Sequence, residues 1–496
     1  MTSNSSPNHR RPRRARFTRS FSWYCQSSKV VTAENPGQQN FAFKADFGEL
    51  RKYIAIDLND LYYPLLEPQP RVFNQNLKGT IFVNAQGQMQ DVDYLIVSPT
   101  IFTPQAEKLA NFHRNYSGLN VKVVSLESIY QEFSSGKQDV AAIRNFVKYV
   151  YNNAPNGNKV KYLNLFGDAS FDFKNRVSIF SNWVPIYHAL ASYSIDQNGF
   201  ASDDFFAMMD DTEGYMDPNG RGEADIAVGR VIVSSNQQAD EMVNKVIDYH
   251  DIKSYGNWRN NYVCIADDPS PGTGDNQLQY RQNKLADRIA QEKPFINVTK
   301  ILTDSYQQVT SSGGFRYPKA RQDIFNAFEK GALVFNYLGH GGEDGLSQER
   351  IFEKADGQNM NNRYKYPLFV TITCEFSRFD NPFRPTAGEY TYLNPRGGAI
   401  SMITTVRAIL QGTGQTFNDV LSQYLFSYGS NNYVSIAEAL RLAKNAANQQ
   451  TSIVFYLGDP ALMLAIPRPN IRLTEVNDVP ITGAIDDLKA LSYVKL

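Results

Sequence analysis

The chain contains little cysteine and little histidine. Its 496 residues include three cysteines and five histidines. Cys25, Cys264 and Cys374 are too few for a disulfide framework, and their spacing fits no zinc site. This scarcity does not indicate a cellular compartment. The sequence also lacks an apolar run of the roughly 18–20 residues that a transmembrane helix needs.

Neither sign of charge is in excess. Fifty lysines and arginines balance fifty aspartates and glutamates. The chain as a whole therefore creates no strong field that would indicate binding to an acidic substrate, and no nucleic-acid partner is predicted. Hydrophobic residues make up 42% of the sequence, as in ordinary folded proteins. The length is sufficient for two or three domains.

The two ends of the chain differ from the rest. Residues 1–36 include the arginine-rich run "HRRPRRARFTRS", and their composition favours a basic, disordered leader. A transit-like leader or a nucleic-acid arm are the alternatives. No uninterrupted apolar region follows, so a secretory signal peptide is not predicted. Residues 468–496 change to short polar alternation with proline and glycine turns, which predicts the start of a truncated β domain and hence a fragment.

Strand-like and helix-like segments alternate from residue 93 onward. This alternation predicts an α/β fold with mostly parallel sheets. We expect two α/β subdomains, at 93–223 and 224–467, and a β-rich segment at 37–92. Buried strands are predicted at "DYLIVSP", "NNYVCIADD", "LVFNYL" and "PLFVTITC", and "QDVAAIRNFVKYVYNN" has the apolar stripe of an amphipathic helix.

Reactive side chains occur where four predicted strands end. They are Asp168, the pair Asp267 and Asp268, His340, and Cys374. Ligands bind beyond the carboxyl ends of the strands in open parallel sheets. His340 and Cys374 are 34 residues apart in the sequence, a separation that suits two neighbouring strands joined by a crossover.

A thiol next to an imidazole can act as a nucleophile whose proton the imidazole accepts. The glycines of "LGHGG" allow the backbone to approach a substrate carbonyl closely. The amide of Gly341 or Gly342, together with that of Cys374, can then form an oxyanion hole.

Structural alternatives remain open for these residues. Cys264 lies within an apolar strand and is best interpreted as a buried hydrophobic residue. Cys374 and His340 can also be packed structural residues, and Asp267 and Asp268 can cap a following helix. The run "MDDTEGYMDPNG" can bind calcium through its oxygens, but it lacks the EF-hand spacing and is better explained as an ordinary acidic loop.

Several segments together resemble the gingipain-type cysteine peptidases, which have a caspase-like fold. These segments are "LVFNYLGHGG", "PLFVTITCEFSRFDNP", "ASDDFFAMMDD…ADIAVGR" and "FYLGDPALML". The resemblance covers roughly residues 40–496. Within the family, "SGKQDVAAIRNFVKYVY" and "IRLTEVNDVPITG" are more similar to the type IX secretion sortases, which remove C-terminal signals from secreted cargo.

The resemblance implies a catalytic dyad of His340 and Cys374. The acidic residue that orients the histidine in the family falls on Asp268, with Asp267 as the alternative. Cys374 would form an acyl-enzyme thioester, with the amides of Gly341 and Cys374 as the oxyanion hole. No cofactor is required, and calcium stays an open expectation. No residue corresponds cleanly to the acid with which gingipains select basic side chains.

The resemblance also implies partners and a location. The partners are protein substrates with C-terminal secretion signals, outer-membrane secretion components, and a lipopolysaccharide whose amine can accept the acyl group. The location is the extracellular face of the outer membrane. The alternatives are a secreted gingipain-like protease of general substrates and a catalytically inactive caspase-like scaffold.

Overall fold

The computed structural model describes most of the chain after residue 73. The described residues are 16–20, 42, 52–56, 74–177, 179–189, 199–214, 216, 222–269, 277–447, 451–468, 474–481 and 493. The chain divides into two compact units, Met1–Asn74 and Gln75–Leu496. In the first unit, the strand Arg16–Ser20 pairs antiparallel with Lys52–Ile56. Most of the predicted segments 1–36, 37–92 and 468–496 falls outside the described residues or on only a few of them.

A ten-stranded sheet forms the centre of the second unit. Its strands in chain order are β1 (Tyr94–Ser98), β2 (Val121–Ser125), β3 (Tyr162–Phe166), β4 (Ala227–Val231), β5 (Asn261–Ala266), β6 (Asn297–Leu302), β7 (Val334–Leu338), β8 (Leu368–Ile372), β9 (Ser401–Thr405) and β10 (Val454–Leu457). Their order across the sheet is β6-β5-β7-β8-β9-β10-β4-β3-β1-β2.

Most neighbouring strands of this sheet are parallel. The pairs from β6 to β9 and from β4 to β2 are parallel, whereas β10 is antiparallel to β9. A single parallel bridge, from Leu457 to Arg230, joins β10 to β4. The predicted α/β architecture with mostly parallel strands is confirmed. One sheet runs through both predicted subdomains, and the boundary between them stays a prediction.

Helices and short hairpins connect the strands. The helices are α1 (Leu77–Thr80), α2 (Thr103–Tyr116), α3 (Leu126–Phe133), α4 (Val140–Asn152), α5 (Asn236–His250), α6 (Leu278–Glu292), α7 (Pro318–Lys330), α8 (Lys354–Asn359), α9 (Ala387–Leu393), α10 (Gln411–Leu425) and α11 (Ile436–Ala446). The hairpins are Tyr187–His188 with Ala201–Ser202, Val309–Ser311 with Gly314–Arg316, Gly341–Gly342 with Gly345–Leu346 and Phe352–Glu353, and Glu475–Val476 with Val479–Pro480. Single 3₁₀ turns occur at Thr100–Phe102, Asp204–Ala207, Ile252–Ser254, Asn257–Asn260 and Thr303–Ser305.

Local sequence signals explain where several helices begin. The Ser235 hydroxyl accepts a hydrogen bond from the Gln238 amide and caps α5. Asp139 caps α4 in the same way through the Ala141 amide. In contrast, no helix is predicted from the sequence at α3. The apolar periodicity of this helix is short. The Ser125 cap is the sequence feature that marks where the helix begins.

The strands that position the candidate site are buried on both faces. All five residues of β7 and all five of β8 are buried, and so are the last five of β5. Strands covered by helices on both sides read as continuous apolar runs, which is how "LVFNYL" and "PLFVTI" appear in the sequence. The candidate residues follow directly where these strands leave the core.

Candidate active site

The strand register places His340 and Cys374 at equivalent positions. Leu338 of β7 lies opposite Ile372 of β8, and each candidate follows two residues later in its own chain segment. On its other side, Leu338 lies opposite Ala266 of β5, which is followed at once by Asp267. The ends of three adjacent strands thus lead the segments that carry His340, Cys374 and the acidic pair out at the same edge of the sheet.

The fourth strand-end candidate lies elsewhere. Asp168 follows β3, which is separated from β8 by three strands. The expectation that reactive residues occur at strand ends holds for Asp168, but this residue is not part of the group around His340. The reason is that β10, the last strand of the sheet in the sequence, inserts between β9 and β4.

Asp267 holds the backbone at His340. Its Oδ2 accepts a hydrogen bond of 3.0 Å from the His340 amide, and its own amide donates to the Leu338 carbonyl at 3.2 Å. Asp267 is 2% exposed. Burial raises the pKa of this carboxyl to about 8. Asp267 therefore fixes where the chain turns out of β7.

Asp268 has a different environment. It is half-buried, and its Oδ2 accepts a hydrogen bond of 3.0 Å from the Tyr317 hydroxyl. The helix that follows, α6, has Gln277 at its N-cap, so the alternative that Asp267 or Asp268 caps this helix is wrong. The role of Asp268 in orienting the His340 ring stays a prediction, as does that of Asp267.

Glycines are required immediately around His340. A Cβ atom on Gly339 would lie 2.4 Å from the Asp267 Cβ, and one on Gly341 would lie 2.6 Å from Thr373 Oγ1. Both distances are far below van der Waals contact. Gly341 thus brings the backbone after His340 against the end of β8, one residue before Cys374. An oxyanion hole built from the Gly341 and Cys374 amides stays a prediction.

The backbone carbonyl of His340 is also held in place. It accepts hydrogen bonds from the Tyr337 hydroxyl at 2.5 Å and from the Ser347 amide at 2.9 Å. The Gly341–Gly342 hairpin begins directly after it. The main chain at His340 is therefore fixed on both its donor and its acceptor side, which favours one position for the imidazole.

Cys374 is half-buried at the point where β8 has ended. Its Sγ donates a long hydrogen bond of 3.9 Å to the Ile409 carbonyl. Burial raises the pKa of the thiol above its ordinary value. The next residue, Glu375, has a φ of 52°, which is unusual for a residue with a side chain and marks a sharp turn after the cysteine.

Cys264 is a core residue, as the sequence predicts. It lies within β5, is fully buried, and its Sγ is 3.3 Å from the Gln282 carbonyl. Burial raises the pKa of its thiol far above the ordinary range. The two described cysteines thus differ in access, and Cys374 is the one at the surface of the sheet end.

A cleft of about 900 Å³ opens next to His340. It is lined by His340, Gly341, Gly342, Glu343, Asp344, Gly345, Ser347, Gln348, Arg350, Glu353, Lys354, Ala355, Glu375 and Arg384. Its acidic residues form ion pairs: Asp344 with Lys354 at 2.8 Å, Glu353 with Arg350 at 3.4 Å, and Glu343 and Glu375 with Arg378 at 3.5 and 3.1 Å. The charges that surround the cleft are therefore largely balanced within the protein.

Three carboxylates could hold a divalent cation. One oxygen each of Asp267, Asp268 and Glu349 lies within 4.8 Å of the others, and calcium prefers such oxygen ligands. The acidic run considered in the sequence lies partly outside the described residues. Just before it, Asp203 and Asp204 form ion pairs with Arg230 and Lys444, at 2.6 and 2.7 Å. Calcium binding stays a prediction.

Sequence reasoning missed some residues that shape the site. Arg407 and Asp380 form a buried ion pair at 2.7 Å in the segments that follow β9 and Cys374. Tyr317, the partner of Asp268, precedes α7. None of these three residues carries a local sequence signal, because each meets its partner only through the tertiary fold.

The remaining described histidines do not follow β5, β7 or β8. His113, for example, packs in the core at 2.5 Å from Asp459.

Comparisons with known proteins bear on the family and the fold of the chain. Peptidase family C25 matches residues 88–465. Gingipain R2 of Porphyromonas gingivalis (strain ATCC BAA-308 / W83) is 22% identical over 284 residues, which are 56% of this chain and 32% of that protein. The chain spans less than a third of the length of the curated relatives it matches.

The chain is similar to solved protein structures. The Arg-specific cysteine proteinase gingipain R (RgpB) matches with a TM-score of 0.57 and 16% identity, over 75% of this chain and 78% of that chain. Dimeric latent PorU from Porphyromonas gingivalis matches with a TM-score of 0.46 and 20% identity, over 95% of this chain and 38% of that chain. The predicted gingipain-type, caspase-like α/β fold is confirmed by the first of these. Because the family match covers most of the sequence, the chain belongs to peptidase family C25.

Proposed function

We propose that the chain is the catalytic region of a cysteine endopeptidase in which Cys374 is the nucleophile and His340 its base. The observation that carries this proposal is the register of β7 and β8. His340 and Cys374 both lie two residues beyond the paired residues Leu338 and Ile372. Neighbouring strands are about 4.8 Å apart, so the equal offsets support a close approach of the two residues at the sheet end.

The proposed reaction is acyl transfer through a thioester. His340 accepts the thiol proton, and the Cys374 sulfur attacks the substrate carbonyl. The C–N bond then breaks, His340 donates a proton to the leaving amine, and water hydrolyses the thioester. A base is necessary because the buried thiol has a raised pKa and is neutral near pH 7. The amides of Gly341 and Cys374 would stabilise the oxyanion.

We infer that the substrates are secreted proteins with C-terminal signals, which the enzyme removes at the outer surface of the outer membrane. One support comes from the sortase-like sequence motifs. The other comes from the cleft, where acids that could select a basic substrate side chain form ion pairs with lysine and arginine of the protein itself. An amine of a surface lipopolysaccharide could replace water as the acyl acceptor. Among the described residues, no helix is long and apolar enough to cross a membrane.

The decisive experiment compares cargo processing in cells that produce the wild type, Cys374→Ala, His340→Ala or Cys264→Ala. Cys374→Ala and His340→Ala should accumulate as folded protein but leave the C-terminal signal on the cargo. Cys264→Ala removes the other described thiol and should process cargo normally. Normal trimming of cargo by Cys374→Ala would show that the proposed mechanism is wrong.

Two further measurements distinguish the alternatives. A peptide-based electrophilic probe should label Cys374, as mapped by mass spectrometry, whereas an inactive scaffold would remain unlabelled at this residue. A general protease would degrade proteins that lack a C-terminal signal as fast as it trims cargo. The mass of the new cargo C-terminus shows whether water or a lipopolysaccharide amine accepted the acyl group.

A further inference from the structure

The loop that follows β3 exposes several large apolar side chains. Four of them lie within residues 171–180 and are between 37% and 59% exposed: Phe171, Phe173, Ile179 and Phe180. A fifth, Phe383, is 61% exposed, and its ring centroid lies 6.0 Å from that of Phe171. Single exposed hydrophobic residues are ordinary, whereas a cluster of them marks an interaction surface. We call these five residues the apolar platform.

Hydrogen bonds close this loop and organise its interior. Its two ends are joined where the Val184 amide donates to the Asp168 carbonyl at 2.9 Å. Within the loop, the Asp172 carboxylate accepts from the Val177 amide at 2.8 Å, and the Asp172 amide donates to the Ser170 hydroxyl at 3.0 Å. These two polar side chains thus bond to the backbone of the loop, while its large apolar side chains are exposed. Compact surface loops that are closed at their base in this way are frequently functional.

Aromatic contacts anchor the platform at two places. The Phe180 ring packs edge-on against Trp183, with ring centroids 4.7 Å apart. Trp183 in turn contacts the fully buried Phe102 at 4.9 Å between ring centroids. At the other place, Phe171 and Phe383 contact each other. Side chains that are already held in place lose less conformational freedom when a partner binds, so the platform is preorganised for binding.

The platform adjoins the cleft that lies next to the proposed catalytic histidine. The Phe171 amide donates to the Asp380 carbonyl at 2.9 Å, which joins the loop to the segment that follows β8. Phe383 of this segment belongs to the platform. The next residue, Arg384, lines the cleft, and its Nε lies 3.5 Å from Glu343 Oε2 on the same lining. One chain segment therefore contributes both to a wall of the cleft and to the platform.

We propose that the apolar platform binds an apolar stretch of the polypeptide substrate while the bond to be cleaved lies in the adjoining cleft. The inference rests on the proposed endopeptidase function and adds a property of its substrates, which is a stretch of large aliphatic or aromatic side chains on one side of the cleavage site. These side chains would leave water and pack against Phe171, Phe173 and Phe383, which is favourable for apolar and aromatic surfaces.

Two other partners fit the platform less well. The same loop exposes Lys174 and Arg176, and a two-fold interface between copies of the chain would bring these positive charges near their own copies. A lipid surface would accept exposed aromatic and basic residues, but it does not account for the segment that the platform shares with the cleft. This continuity favours a polypeptide substrate.

The test is fluorescence anisotropy of labelled peptides with the full chain carrying Cys374→Ala, so that the proposed nucleophile is absent. In one peptide leucine alternates with serine, and in a second peptide of equal length glycine replaces leucine. The leucine peptide should bind at least tenfold tighter, a difference of about 1.4 kcal/mol. Equal binding of the two peptides would overturn the proposal.

Variants locate the binding. Combining Phe173→Ser with Phe383→Ser should weaken binding of the leucine peptide at least tenfold. Both side chains are mostly exposed, so the thermal unfolding midpoint should change little. Ile252→Ser removes a 77% exposed apolar side chain between α5 and β5, outside the platform, and should leave binding unchanged. Unchanged binding in the double variant would refute the assignment.

The double variant also separates the alternatives. In cells it should trim cargo at least tenfold more slowly than the wild type, whereas Ile252→Ser should trim at the wild-type rate. Loss of binding to phosphatidylglycerol vesicles, or of a dimer in sedimentation, with peptide binding retained would assign the platform to a membrane or a second copy and overturn the proposal. Failure of the endopeptidase function would appear separately, as normal trimming by Cys374→Ala, and would not alter the peptide-binding result.

Discussion

The carboxylate of Asp267 accepts a hydrogen bond from the backbone amide of His340 at 3.0 Å. The contact connects the end of β5 to the end of β7 and acts on the main chain of His340. An acid at this position can therefore matter for activity by placing the histidine, whether or not it also contacts the imidazole. This separates a positioning role for Asp267 from the orienting role that the family resemblance assigns to Asp268.

Asp267→Asn should flatten the dependence of stability on pH. The native pKa of about 8 exceeds that of an unfolded aspartate, about 3.9. The native state therefore binds more protons between these values, and the free energy of unfolding falls as the pH rises from 4 to 8. Asparagine retains the acceptor and does not titrate. Urea unfolding at pH 5 and pH 8 measures how much unfolding free energy each protein loses between these pH values. This loss should be about 1–3 kcal/mol smaller for Asp267→Asn than for the wild type. If the two proteins lose the same unfolding free energy between pH 5 and pH 8, the raised pKa of Asp267 is contradicted.

Gly341→Ala should reduce activity at least tenfold. The added methyl group would lie 2.6 Å from Thr373 Oγ1 and 3.0 Å from its Cγ2, so the backbone after His340 must move away from β8. Overpacking of this kind costs about 1–3 kcal/mol of stability. The readouts are kcat for a peptide substrate and the thermal unfolding midpoint.

Gly342→Ala is the matched control for this change. A Cβ atom at Gly342 meets nothing within 4 Å, so alanine there should leave both activity and stability nearly unchanged. Equal loss of activity in the two variants would mean that the close approach of Gly341 to Thr373 is unimportant.

The sequence predicts the position of His340 and Cys374 because the information is local. Each follows a buried apolar strand, and a parallel crossover makes neighbours of two such strands. The position of Asp267 next to His340 is not local, because β5 and β7 are neighbours only through the strand order of the sheet. For the same reason, the sequence cannot show that β10 separates Asp168 from the dyad.

Polar pairs that span distant segments are equally hidden in the sequence. Asp380 and Arg407 are 27 residues apart and belong to different connections. Nothing in either local pattern identifies the partner. Asp380 is 0% exposed and Arg407 is 2% exposed. Each of these buried charges is stable only because the other, of opposite sign, lies next to it.

Alkylation of Cys374 by iodoacetamide should keep accelerating above pH 9. Only the thiolate reacts, and burial raises the pKa of this thiol above its ordinary value. The rate is measured by mass spectrometry of the peptide that contains Cys374. The peptide with the fully buried Cys264 should remain unmodified in the folded protein. A rate that levels off below pH 7 would instead indicate a stable thiolate in the resting enzyme.

Asp380→Ala should destabilise the protein by about 3–5 kcal/mol, because it removes the buried carboxylate that pairs with the Arg407 guanidinium. Asp344→Ala removes an exposed partner of Lys354 and should cost less than about 1 kcal/mol. Burial alone would raise the pKa of Asp380, but the hydrogen bonds and charge of Arg407 outweigh it and lower the pKa.

This lowered pKa also fixes the direction of the pH effect. The native carboxyl has a lower pKa than the unfolded one, so its stabilisation is complete above about pH 4 and is lost as the pH falls through the native value. The wild type should therefore lose stability on acidification below pH 4 more steeply than Asp380→Ala, as measured by urea unfolding. Parallel acid profiles for the two proteins would show that the pair does not stabilise the segment that follows Cys374.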